Sequence, residues 1–502
     1  MRFKRMIAVI SAAAMLTSCL AVGTHAAAGR DYRINNTYAG VDWSTYGQYK
    51  ADLHAHSTAS DGNSAKYRTV EEHYRHGYDI MALTDHGTVD YGWDTDNVNT
   101  IVKIGATIRR GKLAVGAVSA SGTAENGKRY TYDGTNYTQY NADGTAERSM
   151  LRVPFGNEQN PTSFNNAHVC TWFADYGDGS IGGTSDYETP IRNVDRLGGL
   201  SVINHPGEYS GARNERHFED AYDQSNLKYR YIANKFADLL KKYDSCLGVD
   251  VNSKGDFRTR YDRKLWDILL EKVVPSGRNV FALATSDSHN DGIIHSGYTL
   301  MCMPEKTVDA LKNCMKNGEF FAASRYIGSR EEIKAWSDEL KAAGVGSELA
   351  KELTDAYNAI LAEEQTGIQN TIYEFDEEAA APRVTGITVD EAGDRITVSA
   401  KDAYLVHWIA DGRVIAVGNS IDLDEHSDEI GSYVRAEIIG RGGVIYTQAF
   451  TLEYEGAPQA EDAFFVDLGG ATTLLADTIV KALAFVLNKS GVSKLIYNII
   501  YR

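Results

Sequence analysis

The chain has 502 residues, which exceeds the usual size of one domain and predicts a catalytic domain with at least one accessory domain. Hydrophobic residues make up 43% and charged residues 24% of the chain, as is typical of a soluble globular protein. The formal net charge of −17 argues against a general nucleic-acid or anionic-membrane coat, because such surfaces are bound by clustered Lys and Arg. It does not exclude an anionic substrate, because bound divalent ions invert the local field.

The first 28 residues have the pattern of an export signal and lie outside the predicted fold. Residues 1–5 are positively charged, and residues 6–22 form an apolar stretch. Two processing sites compete: small residues at 24–28 suit signal peptidase, whereas residues 16–19 resemble a bacterial lipobox that would leave Cys19 lipid-anchored. Simple secretion is slightly favoured because the small-residue stretch is well formed. We therefore predict an exported bacterial protein, either extracellular or held at the cell surface.

Predicted strands and helices alternate through the region that follows. Residues 29–50 are rich in Tyr, Asn and Gly and predict an irregular lead-in. Helical patterns occur at 69–76, 227–243 and 262–273, the last two with apolar residues at spacings of three and four. The alternation predicts parallel strands joined by crossover helices. The strands are predicted at 50–53, 79–84, 150–156, 167–173, 200–204, 246–251 and 279–285, the number that a seven-stranded barrel requires.

Residues 119–152 interrupt this alternation. Asn-Gly or Asp-Gly pairs begin at Asn126, Asp133 and Asp143 and separate Thr- and Tyr-rich runs, which is typical of β-hairpins. We predict an inserted β-meander within the domain that spans 29–328. Two placements stay open: the insertion overhangs the active face, or it is a surface hairpin without a role in the site.

Three further segments follow the predicted catalytic domain. Residues 329–382 predict a helical connector and a linker, and residues 383–456 alternate strands with Gly and Asp turns, as in a small immunoglobulin-like β-sandwich. The tail, 457–502, carries an amphipathic helical pattern at 472–489, and charges at Asp477 and Lys481 argue against a membrane span. A helix docked on the domains is the favoured interpretation of the tail, and an interfacial or partner-binding helix is the alternative.

The strongest chemical signal is a set of metal-ligand residue types at the ends of predicted strands. His54 and His56 follow the first strand, where residues i and i+2 point to the same side, so both can bind one metal ion. Asp61 and a glycine follow closely. Four such groups indicate a metal site rather than ordinary surface histidines. The other three groups are Asp85 with His86, Asn204 with His205, and Asp287 with His289.

These four motifs resemble the signature motifs of the PHP (polymerase and histidinol phosphatase) superfamily, over roughly residues 50–325. The resemblance implies an α/β fold, a distorted seven-stranded β/α barrel. It also implies hydrolysis of phosphate esters by a metal-bound hydroxide at a centre of two or three divalent ions, Mn, Zn or Fe. It implies nothing about the rest of the chain.

The resemblance further implies which residues hold the ions. Glu158, Asp287 and His205 would be the catalytic residues. Family members carry either aspartate or histidine at the position of Asp61, and a carboxylate in place of an imidazole there would weaken binding of the third ion. The implied ligands are His54, His56 and Asp287 for the first ion, His168 and His205 for the second, Asp61, His86 and His289 for the third, and Glu158 as a bridge between the first two.

The position of the bridging carboxylate departs from the family pattern. The family glutamate usually follows the third strand closely, yet residues 116–118 offer no carboxylate. Glu158, after the insertion, restores it, and Glu125, in a predicted turn, is the nearby alternative.

Several further polar residues have two interpretations each. Asp85 either hydrogen-bonds a ligand histidine or caps a helix, while His73 and His76 are expected on an exposed helix face. His217 and His295 could reach a substrate, although a loop role is favoured. Loop arginines could bind a terminal phosphate, with solvated charge as the favoured alternative: Arg213, Arg216, Arg258 and Arg260.

Four cysteines beyond the signal do not make a disulfide framework in so long a chain. A bridge from Cys302 to Cys314 is one interpretation, and buried free thiols are the favoured one.

The sequence leaves three functions open. The first is a secreted metal-dependent phosphoesterase that acts on a small phosphate ester such as a nucleotide, and not on duplex nucleic acid. The second keeps the metal chemistry but cleaves carboxylic or carbamate esters, as in relatives that resemble carbaryl hydrolase. The third is a non-catalytic cell-surface binding protein, against which the complete ligand set argues. Membrane or cell-surface association would use lipidated Cys19 or the C-terminal tail.

Overall fold

The computed structural model describes residues 30–159, 167–178, 187–215, 220–253, 256–294, 297–327, 373–374, 379–403, 405–460 and 490–501, with isolated positions between 479 and 486. The predicted export signal, most of the helical connector and much of the tail lie outside these residues.

The described residues form a mixed α/β fold. Its helices are α1 (Lys66–Arg75), α2 (Thr100–Arg110), α3 (Glu188–Arg196), α4 (Pro206–Ser210), α5 (Leu227–Lys242), α6 (Asp256–Val273), α7 (Val308–Asn317) and α8 (Val492–Tyr501). Its strands before residue 330 are β1 (Arg33–Asn35), β2 (Gly47–Asp52), β3 (Ile80–Met81), β4 (Ser121–Thr123), β5 (Arg129–Tyr132), β6 (Asn136–Tyr140), β7 (Ala146–Arg152), β8 (Asn157–Gln159), β9 (Val169–Trp172), β10 (Leu200–Ile203), β11 (Cys246–Asn252), β12 (Phe281–Ala284), β13 (Gly297–Met303), β14 (Phe320–Ser324) and β15 (Tyr326–Ile327). The later strands are β16 (Tyr373–Glu374), β17 (Arg383–Asp390), β18 (Arg395–Lys401), β19 (Leu405–Ala410), β20 (Arg413–Val417), β21 (Ser420–Asp422), β22 (Tyr433–Gly440), β23 (Gly443–Tyr446) and β24 (Phe450–Glu453).

Two sheets carry the predicted motifs. One has the order β12-β11-β10-β9-β8, and the larger one contains the run β14-β13-β2-β3-β7. The sheets meet at the motif ends through two parallel bridges, Ala55 with Ser288 and His86 with Glu158. Within the described ranges these are two joined sheets rather than one closed seven-stranded barrel. The prediction of a mixed α/β fold is therefore confirmed, whereas a closed seven-stranded barrel is not seen in the described ranges.

The direction of β9 differs from the prediction of parallel strands throughout. β2, β3 and β7 are parallel, as are β10, β11 and β12, but β9 is antiparallel to both β8 and β10. The connection from β8 to β9 is too short for a crossover helix, so these two strands run in opposite directions. Because β9 runs in the opposite direction, His168, the residue before it, lies at the edge of the sheet where β8 and β10 end.

The residues of the predicted insertion form the antiparallel strands β4 to β7, and β7 continues the large sheet from β3. The Tyr137 ring lies between Tyr74 of α1 and Tyr130 of β5, with ring centroids 5.5 and 4.9 Å away. Arg152, at the end of β7, pairs with Asp90 in the loop after β3 at 3.0 Å. The insertion therefore packs on α1 and holds that loop.

The strands after residue 383 are linked to the large sheet, and an immunoglobulin-like sandwich stays a prediction. β17, β18 and β21 make a small sheet, whereas β23 pairs with β14 and so joins the large sheet. This pairing covers the edge of β14, whose backbone groups would otherwise lack strand partners. The Gln448 side chain likewise covers β12, accepting a hydrogen bond from the Ala282 backbone N–H at 2.8 Å and donating one to its carbonyl at 2.9 Å.

A buried ion pair joins the same two regions. The Arg435 guanidinium of β22 donates two hydrogen bonds to Asp267 of α6, at 2.7 and 2.8 Å, and one to Glu437 at 2.7 Å. It lies 4.6 Å from the centre of the Trp266 ring, and all three charged side chains are buried. Removing the arginine would leave two buried carboxylates without their cation.

We expect Arg435→Ala to lower the free energy of unfolding by about 3–5 kcal/mol, because removing one partner of a buried ion pair leaves the other charge buried and unpaired. Denaturant unfolding at neutral pH measures the change. Arg33→Ala is the matched control: its ion pair with Glu453 is largely exposed, and its loss should cost less than about 1 kcal/mol. Equal effects of the two substitutions would contradict the assignment.

Candidate metal centre

All nine side chains that the PHP resemblance implies come together where the two sheets meet. His54 and His56 follow β2, and Asp61 lies in the turn beyond them. Glu158 lies in β8, and His168 immediately precedes β9, whose reversed direction brings this histidine to the common edge. The remaining four follow the ends of β3, β10 and β12: His86, His205, Asp287 and His289.

The first group of donors surrounds one point. The Nε2 atoms of His54 and His56 are 3.1 Å apart. They lie 3.2 and 3.1 Å from Glu158 Oε2, and 3.4 and 3.1 Å from Asp287 Oδ1. Donors about 2.1 Å from one ion are about 3.0 Å apart at an octahedral edge and about 3.4 Å apart at a tetrahedral edge. The separations therefore fit a single divalent ion.

The two oxygens of Glu158 face different donors. Oε2 belongs to the first group and is also 3.1 Å from His86 Nδ1. Oε1 is 2.7 Å from His168 Nδ1 and 3.4 Å from His205 Nε2. His205 Nε2 also lies 3.3 Å from Asp287 Oδ2. The two oxygens of this carboxylate thus face two different donor groups, and it would bridge two ions held there.

The third group lies at the open side of the centre. Asp61 Oδ1 is 3.2 Å from His289 Nε2 and 3.5 Å from His86 Nε2. It is also 3.5 Å from His56 Nδ1, so His56 stands between this group and the first. Asp61, His86 and His289 are 12–23% exposed, whereas the Glu158 and Asp287 side chains are at most 1% exposed. A third ion would therefore be the one nearest to solvent.

Electrostatics favour the metal-binding forms of two residues. Burial opposes ionisation of Glu158, but His54 and His168 hold its pKa well below the ordinary value. Burial lowers the pKa of His86 to about 4, which leaves a neutral imidazole at pH 7. Imidazole and carboxylate are the ligand types that Zn, Mn and Fe accept. The donor chemistry of the centre therefore fits the implied ions.

Unusual backbone conformations accompany the motifs. His205 and Asp287 have positive φ angles of 23° and 45°, which non-glycine residues seldom adopt and which cluster at functional sites. Gly62 follows Asp61 because a side chain at 62 would lie 2.6 Å from the His56 backbone. Local geometry thus requires the glycine of the first motif.

A buried network supports the first motif from below. Asp52 Oδ1 accepts hydrogen bonds from the backbone N–H groups of His54 and Ser286, each at 3.2 Å. Its Oδ2 accepts from the Ser286 hydroxyl and lies 3.0 Å from His73 Nε2. The prediction of an exposed His73 is wrong, because its side chain is fully buried. His73 lies three positions after the buried Val70 and therefore shares its helix face. That spacing was a usable signal.

Asp85 takes neither of its two predicted roles. Its Oδ1 accepts from the Ser57 and Ser60 backbone N–H groups at 2.8 and 3.0 Å. Both serine hydroxyls also donate to this carboxylate, at 2.7 and 2.6 Å. Asp85 therefore fixes the loop between His56 and Asp61.

Helix α2, which the sequence interpretation missed, connects two ligand loops. Its Gly105 and its β-branched residues lower helix propensity, although Asn99 at its start was a recognisable N-cap. The Asn99 side chain donates to the carbonyl of Gly87, next to His86, at 3.2 Å. At the other end, Arg110 donates to the carbonyls of Ser60, Asp61 and Gly62 at 2.8, 2.5 and 2.6 Å.

We expect Arg110→Ala to lower the metal occupancy of the third group selectively, because Arg110 holds the loop that carries Asp61, a donor of that group. The predicted result is loss of up to about one metal equivalent per chain, with roughly tenfold slower turnover. Metal analysis measures the loss of metal, and steady-state kinetics measure the change in kcat. Arg75→Ala, at the end of α1, is the control, since its pair with Glu72 touches no ligand loop. Unchanged metal content in Arg110→Ala would contradict this role.

Other predicted candidates fall outside the donor groups. Glu125 lies in the insertion, where its exposed side chain is 3.4 Å from Arg68, so it is not the bridge. Arg213 pairs with Glu208 at 3.0 Å, and the Tyr209 ring stacks on His168 at 4.4 Å. The four cysteines of the described chain are buried free thiols. Outside the described residues lie Arg216, His217, His295 and the side chains of Arg258 and Arg260.

No protein-family model matches the chain, and no curated protein does. Among solved structures, a two-domain protein from Bacteroides vulgatus that contains a predicted PHP-like metal-dependent phosphoesterase is 13% identical, with 87% of this chain and 97% of that chain covered and a TM-score of 0.35. PsfC from Pseudomonas syringae is 14% identical, covering 53% and 87%, with a TM-score of 0.29. A lesion-specific endonuclease from Pyrococcus furiosus is 11% identical, covering 64% and 84%, with a TM-score of 0.29.

Similarities at these TM-scores carry no argument for function, which must come from the site itself. The chain resembles the PHP superfamily in its four strand-end motifs, which contain seven of the nine side chains, and in the positions of Glu158 and His168.

Proposed function

We propose that this protein is an exported metal-dependent hydrolase that cleaves small phosphate esters. The observation that carries the proposal is the convergence of six histidines and three carboxylates at donor separations suited to divalent ions. Such ions, when bound, supply an activated water and neutralise charge on phosphoryl oxygens. The two sheets joined at their motif ends would correspond to the distorted β/α barrel of the PHP superfamily.

The chain's own residues contribute distinct parts of this chemistry. Glu158 stays ionised between two donor groups and would keep two cations close together. His205 lies within 3.4 Å of both Glu158 and Asp287 and would orient these two carboxylates. The Tyr209 ring, stacked on His168, fixes the plane of that imidazole.

One feature favours phosphate over an uncharged ester. Arg109, at the end of α2, is 65% exposed, and its Nη2 atom lies 3.6 Å from Asp61 Oδ2. A guanidinium beside the open third group can bind phosphate oxygens in a bidentate manner, whereas a carboxylic or carbamate ester offers it no charge. A small substrate such as a nucleotide also agrees with the net charge of −17, which disfavours duplex nucleic acid.

The decisive experiment combines metal analysis of the purified mature protein with a substrate panel of phosphomonoesters, phosphodiesters and carboxylic esters. We expect two or three equivalents of Mn, Zn or Fe. We also expect hydrolysis of a phosphate ester that a chelator abolishes and added metal restores. Hydrolysis of carboxylic or carbamate esters alone would replace the proposal by the second function. Absence of both metal and hydrolysis would favour a cell-surface binding protein.

A further inference from the structure

The C-terminal helix exposes an apolar face. Val492, Leu495, Ile496 and Ile499 follow the spacing i, i+3, i+4, i+7 and therefore share one side of α8. These four side chains are 39–72% exposed, although such a face normally packs against a protein core. Ile479, Leu483 and Val486, earlier in the tail, are likewise exposed by more than half.

The contact that α8 makes with the described protein does not cover this face. α8 lies against α2, and Ile108 of α2 is itself 81% exposed. α8 therefore rests on α2 with its apolar side on the surface. The helix predicted at 472–489 lies mostly outside the described residues. Clusters of exposed large aliphatic side chains mark interaction surfaces.

The charge of the tail contrasts with the charge of the chain. Residues 478–502 contain no Asp or Glu and four cations, Lys481, Lys489, Lys494 and Arg502, within a protein of net charge −17. An acidic protein whose sequence concentrates cations in the segment that carries an apolar helix face has the pattern of a segment that binds a membrane surface. The overall negative charge excludes a general membrane coat but not this local site.

We propose that the C-terminal tail docks the protein onto an anionic lipid surface, with the apolar face of α8 inserted at the headgroup boundary. No helix of the described ranges is long and apolar enough to cross a bilayer, so α8 would lie in the plane of the interface. A second copy of the chain is a poorer occupant, because a two-fold contact through α8 would bring identical cations together.

This docking would hold the metal centre close to the membrane. α8 contacts α2, and Arg110 of α2 holds the loop that carries Asp61. The proposal does not depend on metal chemistry, so it can fail or succeed independently of the proposed function.

Vesicle flotation tests the proposal with residues 29–502, the chain without its predicted export signal, so that no lipid anchor at Cys19 contributes. The probes are vesicles of phosphatidylcholine alone and of phosphatidylcholine mixed with phosphatidylglycerol. We expect flotation with the mixed vesicles only, weakened at high salt because ions screen the lysines. The double substitution Leu495→Asp and Ile499→Asp should weaken vesicle binding by roughly 100-fold or more, because two aliphatic side chains are then no longer transferred from water into the lipid.

Two further variants test whether binding depends on the apolar face of α8 and on the lysines of the tail. Leu227→Asp changes a leucine that is 72% exposed on α5 and should leave flotation unchanged. The triple substitution Lys481→Glu, Lys489→Glu and Lys494→Glu should abolish the preference for phosphatidylglycerol. Absence of flotation, or equal flotation with both kinds of vesicle, would overturn the proposal. So would a dimer in light scattering that the Leu495 and Ile499 substitutions convert to a monomer, because the face would then belong to a second copy.

Discussion

His54→Ala and Asp287→Asn should each abolish turnover while leaving the fold intact. Both residues belong to the group of donors that surrounds one point, with His54 Nε2 and Asp287 Oδ1 only 3.4 Å apart. Loss of either donor removes a ligand from the ion that would activate water. We expect kcat to fall by at least about three orders of magnitude, or about 4 kcal/mol of transition-state stabilisation.

Asparagine is the better replacement for Asp287, because the φ angle there is 45° and asparagine tolerates that conformation better than alanine. Metal content, kcat and thermal unfolding should be measured for each variant. His407→Ala is a matched control: His407 is as buried as His54 but lies in β19, away from the centre. We expect it to keep its metal and its kcat. Near-normal turnover with full metal content in both site variants would refute the site assignment.

Glu158→Gln should remove about one metal equivalent and slow turnover at least 100-fold, about 3 kcal/mol of transition-state stabilisation. The reason is the position of the carboxylate, whose Oε2 faces His54 and His56 while its Oε1 faces His168. Glutamine has nearly the same size but no charge. Two cations about 3.5–4 Å apart would then repel each other with less negative charge between them.

Glu72→Gln provides the control for Glu158→Gln. Glu72 is a buried carboxylate of α1 that pairs with Arg75 and touches no ligand loop. We expect it to leave metal content and turnover unchanged. If Glu158→Gln keeps its full metal content and ordinary rates, Glu158 is not the bridge, and the alignment across the insertion at 119–152 is incorrect.

Seven of the nine candidate donors lie in the four strand-end motifs, whose signals are local. A His-x-His pair after a strand, or an Asp-x-His pair after another, depends only on strand periodicity and on where an apolar run ends. Glu158 and His168 required the resemblance as well, and the insertion displaces Glu158 from the third strand. The structure adds the distances, which show that one carboxylate faces two groups.

The residues that hold these donors in place gave much weaker signals. Arg110 reaches three carbonyl groups about 50 positions away, and no periodicity of α2 encodes that contact. Asp52 and His73 meet because α1 packs on β2, and the buried face of α1 was visible only in the spacing from Val70 to His73. Contacts between distant segments depend on packing rather than on local propensity.

The sequence by itself determined the donor types, the approximate strands that carry them and the acidic chain with a cationic tail. Only the tertiary structure decided the direction of β9, which brings His168 to the common edge, and the pairing of β23 with β14, which merges the predicted sandwich with the large sheet. It also decided that the apolar side chains on one face of α8 remain exposed. The physical reason is that strand pairing and burial depend on which distant surfaces meet, whereas the alternation of side chains along a strand is a property of the chain alone.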